Sequence, residues 1–206
     1  MKKLSITALA AACCLLAACG SGSASPSPSD PIGDPNGDNT SSIADTPTSG
    51  DVLVGLGVVS TTSESTSASG EIMGNANFNV VVCALSTDTA GTILDVKFDT
   101  LQADVGFDIS GMLTGDMTSE IETKKELGDA YGMKDASGIQ KEWYEQIAAL
   151  EDWMRGKTVD DVLLMKVTER DAEHQNVPDE TDLKTSVTIS VTDQLRALEK
   201  AYSDTK

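Results

Sequence analysis

Asp182, Thr185, Ser186 and Thr188 place one carboxylate and three hydroxyls within seven residues of a chain that holds few other reactive groups. Small hydroxylic residues this close together leave room for a bound group and can donate hydrogen bonds to it. The same stretch also passes as a threonine-rich strand, because Thr185 to Val191 alternates Thr with Val and Ile. Other searches return little. No GxSxG, Walker loop, CxxC or HExxH occurs. His174 is the one histidine and lies among polar neighbours without a Cys or Ser partner, which reads as a solvated loop residue. The carboxylates are spread along the chain and form no evident acid–base pair.

Charge narrows the classes further. Lys and Arg total 15 against 33 Asp and Glu, for a net charge of -18 and an isoelectric point near 4.2. Binding nucleic acid through phosphate contacts requires the opposite balance, so no nucleic-acid partner is expected. A single histidine excludes a zinc or di-iron site built from several imidazoles. The expectation is no resident metal.

The N-terminus carries an address. Lys2 and Lys3 precede a mostly apolar run over residues 4–18, too short for a comfortable membrane span, which ends Leu16-Ala17-Ala18-Cys19. That ending resembles a bacterial lipobox. Residues 1–18 then form a lipoprotein signal peptide, and Cys19 becomes a lipidated N-terminus on the extracytoplasmic face of the cell membrane. Residues 19–50 contain five of the six prolines and almost no bulky apolar side chains, the composition of a flexible tether. Residues 51–206 are expected to form one domain. Of the four cysteines, Cys13 and Cys14 leave with the signal and Cys19 takes lipid, so Cys83 has no disulfide partner and reads as a buried structural thiol.

Strands come first in this domain and helices later, which predicts an α+β fold with an antiparallel sheet in the N-terminal half packed by C-terminal helices. Strands are expected over residues 52–59, 78–85 and 93–99, the last with Leu94, Val96 and Phe98 on the buried face. A break near Thr100 separates a fourth strand in which Leu101, Ala103, Val105, Phe107 and Ile109 face one way. Ser137 with Gln140 resembles a capping box and starts a helix over 138–155. Its apolar face is Trp143, Ile147, Leu150 and Met154, with Lys141–Glu145 and Glu151–Arg155 paired on the wet side. Thr158 with Asp161 starts a short helix, residues 168–182 form a polar link, and a last helix covers 192–202 with Leu195, Leu198 and Tyr202 inward. Tyr131 and Met133 sit in a glycine-flanked loop where they can contact a ring, while Trp143 reads first as core. Lys124 and Lys125, the densest basic spot of the chain, could neutralise a phosphate but read first as partners for Glu120, Glu122 and Glu126.

The stretch Asp182-Leu183-Lys184-Thr185-Ser186-Val187-Thr188 resembles the flavin-attachment motif of the FMN-binding domain family, which includes the G subunit of the Rnf complex and the C subunit of sodium-pumping NADH:quinone reductase. That motif is Asp, two variable residues, Ser/Thr, Gly/Ser, Ala and an acceptor Thr, so Val187 stands where the family has Ala. Asp88-Thr89-Ala90-Gly91-Thr92-Ile93 resembles a hairpin of the same family. Residues 123–134 with Glu142-Trp143-Tyr144-Glu145-Gln146 resemble a lipoprotein branch that includes a spirochaete major membrane antigen. The resemblance implies FMN joined through its phosphate to Thr188 by a flavin transferase, with Asp182, Thr185 and Ser186 as motif residues. It places the acceptor just ahead of a helix, whose free N–H groups favour phosphate. It further implies a monomeric electron carrier, not an enzyme, meeting redox partner proteins at the membrane. The other reading is a cofactor-free surface lipoprotein, an antigen that binds a ligand or protein partner.

Overall fold

The computed structural model describes residues 50–172 and 174–206. The expected signal peptide, Cys19 and the expected tether through residue 49 lie outside the described residues. The fold is α+β. Strand β1 (Leu53–Thr61) pairs antiparallel with β2 (Gly74–Thr87), which pairs with β3 (Ile93–Phe107), and a short β4 (Leu113–Thr114) completes the order β1-β2-β3-β4. Valine-rich β2 is central because both of its neighbours are joined to it along most of its length. Helices follow: α1 (Lys124–Leu127), α2 (Trp143–Met154), α3 (Val159–Leu163) and α4 (Thr192–Ser203), with a 3₁₀ turn at Gly128–Tyr131.

The hairpin between β2 and β3 is set by Asp88, whose Oδ1 accepts the Ala90 and Thr92 N–H groups at 2.9 and 2.8 Å, while Gly91 takes the positive φ the turn needs. A bulge at Ser86/Thr87 pairs Ser86 with Asp95 and Thr87 with Ile93. The extra residue reverses the alternation there: Ile93 is buried and Leu94 is exposed, against the expected facing of Leu94. The expected break at Thr100 is not a break. β3 runs through it, paired Val81 to Thr100, and what changes is which set of alternate residues is covered, from Val96, Phe98 and Thr100 to Ala103.

One sheet face packs on α2 and α4. Val59, Val81, Cys83, Leu85, Val96 and Phe98 meet Trp143, Ile147, Leu150 and Met154 of α2. Each fully buried side chain of this size contributes about 1.5–3 kcal/mol. The four expected apolar positions on α2 are buried, together with Gln146 and Glu151, although the helix starts later than its pattern indicated. Gln140 has a positive φ, Ser137 closes a turn instead, accepting the Lys141 N–H, and Glu142 is the residue that precedes the helix. Neither expected surface pair forms part of the observed pairing. Glu151 is buried and Arg155 pairs with Asp95 and Asp152. Thr158 caps α3 as expected. The link after α3 contains structure of its own, since β5 (Val167–Thr168) pairs antiparallel with β6 (Val177–Pro178).

Helix α4 lies on β1 through small residues. Gln194, Ala197, Leu198 and Ala201 are buried, with Leu195 and Tyr202 half-buried at the margin. Its C-terminal end also closes the free edge of β1. Lys200 Nζ donates to the Val58 carbonyl, the Leu56 N–H donates to Asp204 Oδ2, and the Lys206 N–H donates to the Val54 carbonyl. An edge strand with its polar groups taken in this way resists pairing with another chain. Among the described residues no helix is long and apolar enough to cross a membrane.

Candidate functional site

The segment that carries Thr188 is a turn followed by an extended run. Leu183 and Val187 are buried, and the Ser186 and Val187 N–H groups donate to the Leu183 carbonyl, which closes the turn. Val187, Ile189 and Val191 then alternate into the core while Thr188 and Ser190 stay half-buried. The alternation that suggests a strand is real, but this run joins no ladder. Val187 points inward, so the side chain that departs from the family motif lies in the core. Thr188 lies four residues before the first residue of α4, and Val191 occupies the capping position. Thr188 is thus not at the helix terminus itself, where the resemblance leads one to expect it.

Gln146, fully buried on α2, fixes Thr188. Its Oε1 accepts the Thr188 N–H at 2.8 Å and lies 3.2 Å from Thr188 Oγ1, while its Nε2 donates to the Lys141 carbonyl at 3.2 Å. The Ser137 carbonyl is also 3.3 Å from Oγ1. Both neighbours of the hydroxyl are acceptors, so the hydroxyl donates and its own lone pairs remain available. Arg170 Nη1 donates to the Thr188 carbonyl at 3.1 Å, placing a guanidinium beside this residue.

Directly after Thr188 the chain borders a cavity of about 290 Å³. Ile189, Ser190 and the first turn of α4 form one wall, Tyr131, Met133 and Trp143 another, and Val81 and Thr100 of the sheet contribute the rest, with Lys124 and His174 at its sides. An adjoining cleft of about 500 Å³ shares Lys124, Tyr131 and Met133 with it. Glu142 holds the loop that presents Met133 by accepting the Met133 and Lys134 N–H groups at 2.9 and 3.0 Å. The first turn of a helix of this length leaves N–H groups unpaired, so the α4 wall favours negative charge.

Tyr131 and Met133 are therefore in the cavity, as their loop suggested. Asp182 and Thr185 are exposed and line neither space, and the Ser186 hydroxyl is 3.2 Å from the Leu183 carbonyl, to which it donates. Trp143 is both core and wall. Lys125 pairs with buried Glu151 and Lys124 lies over aromatic rings, so neither serves the acidic residues beside it in sequence. His174 is half-buried, with Nδ1 2.6 Å from Asp171 Oδ1. The hydrogen bonds of Gln146 and the places of Thr100, Lys124 and His174 in the cavity wall each depend on residues tens of positions away, which the sequence does not show.

Cys83 stands apart from this site. Burial foremost, and the Glu151 charge second, push its thiol up to about 12. The thiolate is the reactive form, so Cys83 is expected to resist iodoacetamide in the native protein at mildly alkaline pH and to react on unfolding. Peptide mapping of Cys83 reads this directly, and labelling of the native state at the unfolded rate would contradict its burial.

A protein of Desulfitobacterium hafniense named chlorophenol reductase is 35% identical to this chain over 102 residues, which is 42% of this chain and 30% of that protein. The chain thus spans less than a third of the length of the relative it matches. No family model matches, and no solved structure matches.

Proposed function

We propose that this chain is a flavin-carrying electron-transfer lipoprotein, anchored by Cys19 on the extracytoplasmic face of the membrane, with FMN in the cavity beside Thr188 and bound through its phosphate to the Thr188 hydroxyl. One observation carries the reading. The half-buried Thr188, whose hydroxyl has two acceptor neighbours, immediately precedes Ile189 and Ser190, which line a cavity walled by Tyr131, Trp143 and Met133. The cavity and its adjoining cleft are about the size of small-molecule sites, and polar and charged side chains share their walls with the aromatic and aliphatic ones. An unpartnered buried hydroxyl, Thr100 Oγ1, is left for a ligand to complete, so the residues present fit the group. Bound flavin supplies the one- or two-electron chemistry.

The chain's own residues do the rest. Attachment would join Thr188 Oγ1 to the phosphorus of the FMN half of FAD as the bond from that phosphorus to the AMP half breaks, with AMP as the leaving group and the hydroxyl proton passing to a base of the transferase. Gln146 keeps the oxygen in place by holding the Thr188 N–H. The N-terminal turn of α4 and the Arg170 guanidinium offer positive potential near the resulting phosphate. Tyr131 and Trp143 offer ring faces for stacking. Asp182 and Thr185, exposed on the turn, suit recognition by the transferase better than contact with the flavin. The relative named a reductase favours a redox setting, with electrons received from a membrane donor and passed to another carrier.

Coexpression of the full chain with a flavin transferase tests this. A fluorescent band on a denaturing gel, with the mass of one added FMN, is expected for the native sequence and absent from Thr188→Ala. An unmodified mass together with no FMN bound in solution would sink the proposal. That outcome would favour the second reading, a cofactor-free binding protein. Its support is the row Val54, Leu56 and Val58 on the outer sheet face, each more than two-fifths exposed.

A further inference from the structure

Two polar groups in the cavity lack a hydrogen-bond partner among the described residues. Thr100 is only 2% exposed and lines the cavity, yet its Oγ1 has no hydrogen-bond partner. Thr87 Oγ1 is also unpartnered but borders neither space. A buried hydroxyl left without a partner is destabilising, and native structures retain few of them. Lys124 is the second group. Among the described residues it forms no ion pair, and it is the single Lys or Arg that lines the cavity or its adjoining cleft. Its Nζ lies 4.8 Å from the Tyr131 ring centroid and 5.7 Å from that of Trp143. The two rings hold the ammonium at the cavity wall by cation–π attraction while leaving its N–H donors unused. In a protein of net charge -18, a cation that faces a cavity and forms no ion pair, although Asp104 and Glu122 line the adjoining cleft with it, is out of the ordinary. The one carboxylate that lines the 290 Å³ cavity, Asp193, is itself paired with Arg196.

We propose that Lys124 and Thr100 form a polar corner that binds the electron-rich carbonyl edge of a planar heteroaromatic ring, and that Lys124 favours the reduced, anionic form of that ring over the neutral oxidised form. The inference rests on the flavin reading above. An isoalloxazine ring that takes up two electrons and one proton gains one negative charge, shared over its N1 and C2 carbonyl edge. An ammonium at that edge is attracted more strongly to the charged form than to the neutral one, and the more so where water is excluded. Thr100 donates its hydroxyl hydrogen to an oxygen of the same edge, which removes the unsatisfied group from the sheet. Tyr131 and Trp143 then have two tasks, to hold Lys124 and to flank the ring.

The test uses the full chain loaded with FMN and reduced stepwise by dithionite against a reference dye. Lys124→Met is expected to shift the two-electron midpoint potential about 30 mV to the negative, the equivalent of a tenfold loss of preference for the reduced form. Thr100→Val is read in a Thr188→Ala background, where FMN binding is reversible. It is expected to weaken FMN binding about tenfold while the flavin-free protein melts at or above the parent temperature, because the replacement deletes an unpartnered hydroxyl. A residue with a merely structural role would show the reverse, a lower melting temperature with unchanged affinity, and that result overturns the assignment of Thr100. An unchanged potential in flavin-loaded Lys124→Met overturns the inference and leaves the flavin reading standing. A native chain that neither attaches nor binds FMN overturns both.

Discussion

Gly57→Ala is expected to lower the melting temperature of the domain by roughly 10 °C. Gly57 is buried on β1 under α4, and an added Cβ would overlap the Ala197 carbonyl oxygen and crowd the Ala201 nitrogen. Both are main-chain atoms, so no rotamer change relieves the clash and the helix itself must move. Overpacking of this kind costs typically 1–3 kcal/mol and sometimes more. At about 3 kcal/mol, a domain of this size loses about 6–12 °C. Gly55 meets Ala201 in the same way one turn along the helix. The contact is backbone against backbone, which is why the helix face reads Ala197 and Ala201 at that point. Truncating the facing side chain by Ala197→Gly should not rescue the variant. Thermal unfolding checks this, and a melting temperature within about 2 °C of the native value would show that α4 is not seated on β1 in this way.

Glu151→Ala is expected to cost about 2–4 kcal/mol of unfolding free energy. Glu151 is 2% exposed and ties three elements together. It accepts the Phe98 N–H of β3 at 2.8 Å, Lys125 Nζ of α1 at 2.7 Å and Lys97 Nζ of β3 at 3.2 Å. Truncation leaves a buried N–H without an acceptor, which alone costs about 1–3 kcal/mol. The ionic share is smaller, because the Lys97 and Lys125 side chains are 51% and 31% exposed and water screens them. Glu151→Gln keeps an acceptor for Phe98 and should recover about half of the loss. Denaturant unfolding of both variants separates the two shares. Equal losses for Ala and Gln would mean that charge dominates, contrary to the burial seen. The loss reaches the candidate site, since Lys125 carries α1 and with it Lys124.

What could be read from the chain was local. The β-branched runs, the Asp88 turn, the Thr158 cap and the helical spacing of Trp143, Ile147, Leu150 and Met154 are short-range patterns, and each depends on neighbours within about one turn of helix or one hairpin. The α+β class followed from their order. Errors arose where a local pattern had a distant competitor. Glu151 and Arg155 have the spacing of a surface pair, but the strands supply a buried N–H for one and Asp95 for the other. Leu94 follows the alternation of β3 until a bulge shifts the register. Ser137 resembles a cap, yet its turn is used to bring its carbonyl to Thr188.

The candidate site divides along the same line. The sequence by itself determined that a hydroxyl-rich segment precedes the last helix, that Tyr131 and Met133 sit in a turn, and that the chain is strongly acidic. Only the tertiary structure decided that these segments share a cavity, that Gln146 on another helix holds Thr188, and that Lys124 faces aromatic rings and not the glutamates beside it in sequence. The reason is physical. Secondary structure answers to contacts a few residues apart, whereas a cavity is what remains between elements after the core has packed, and its lining belongs to no single segment.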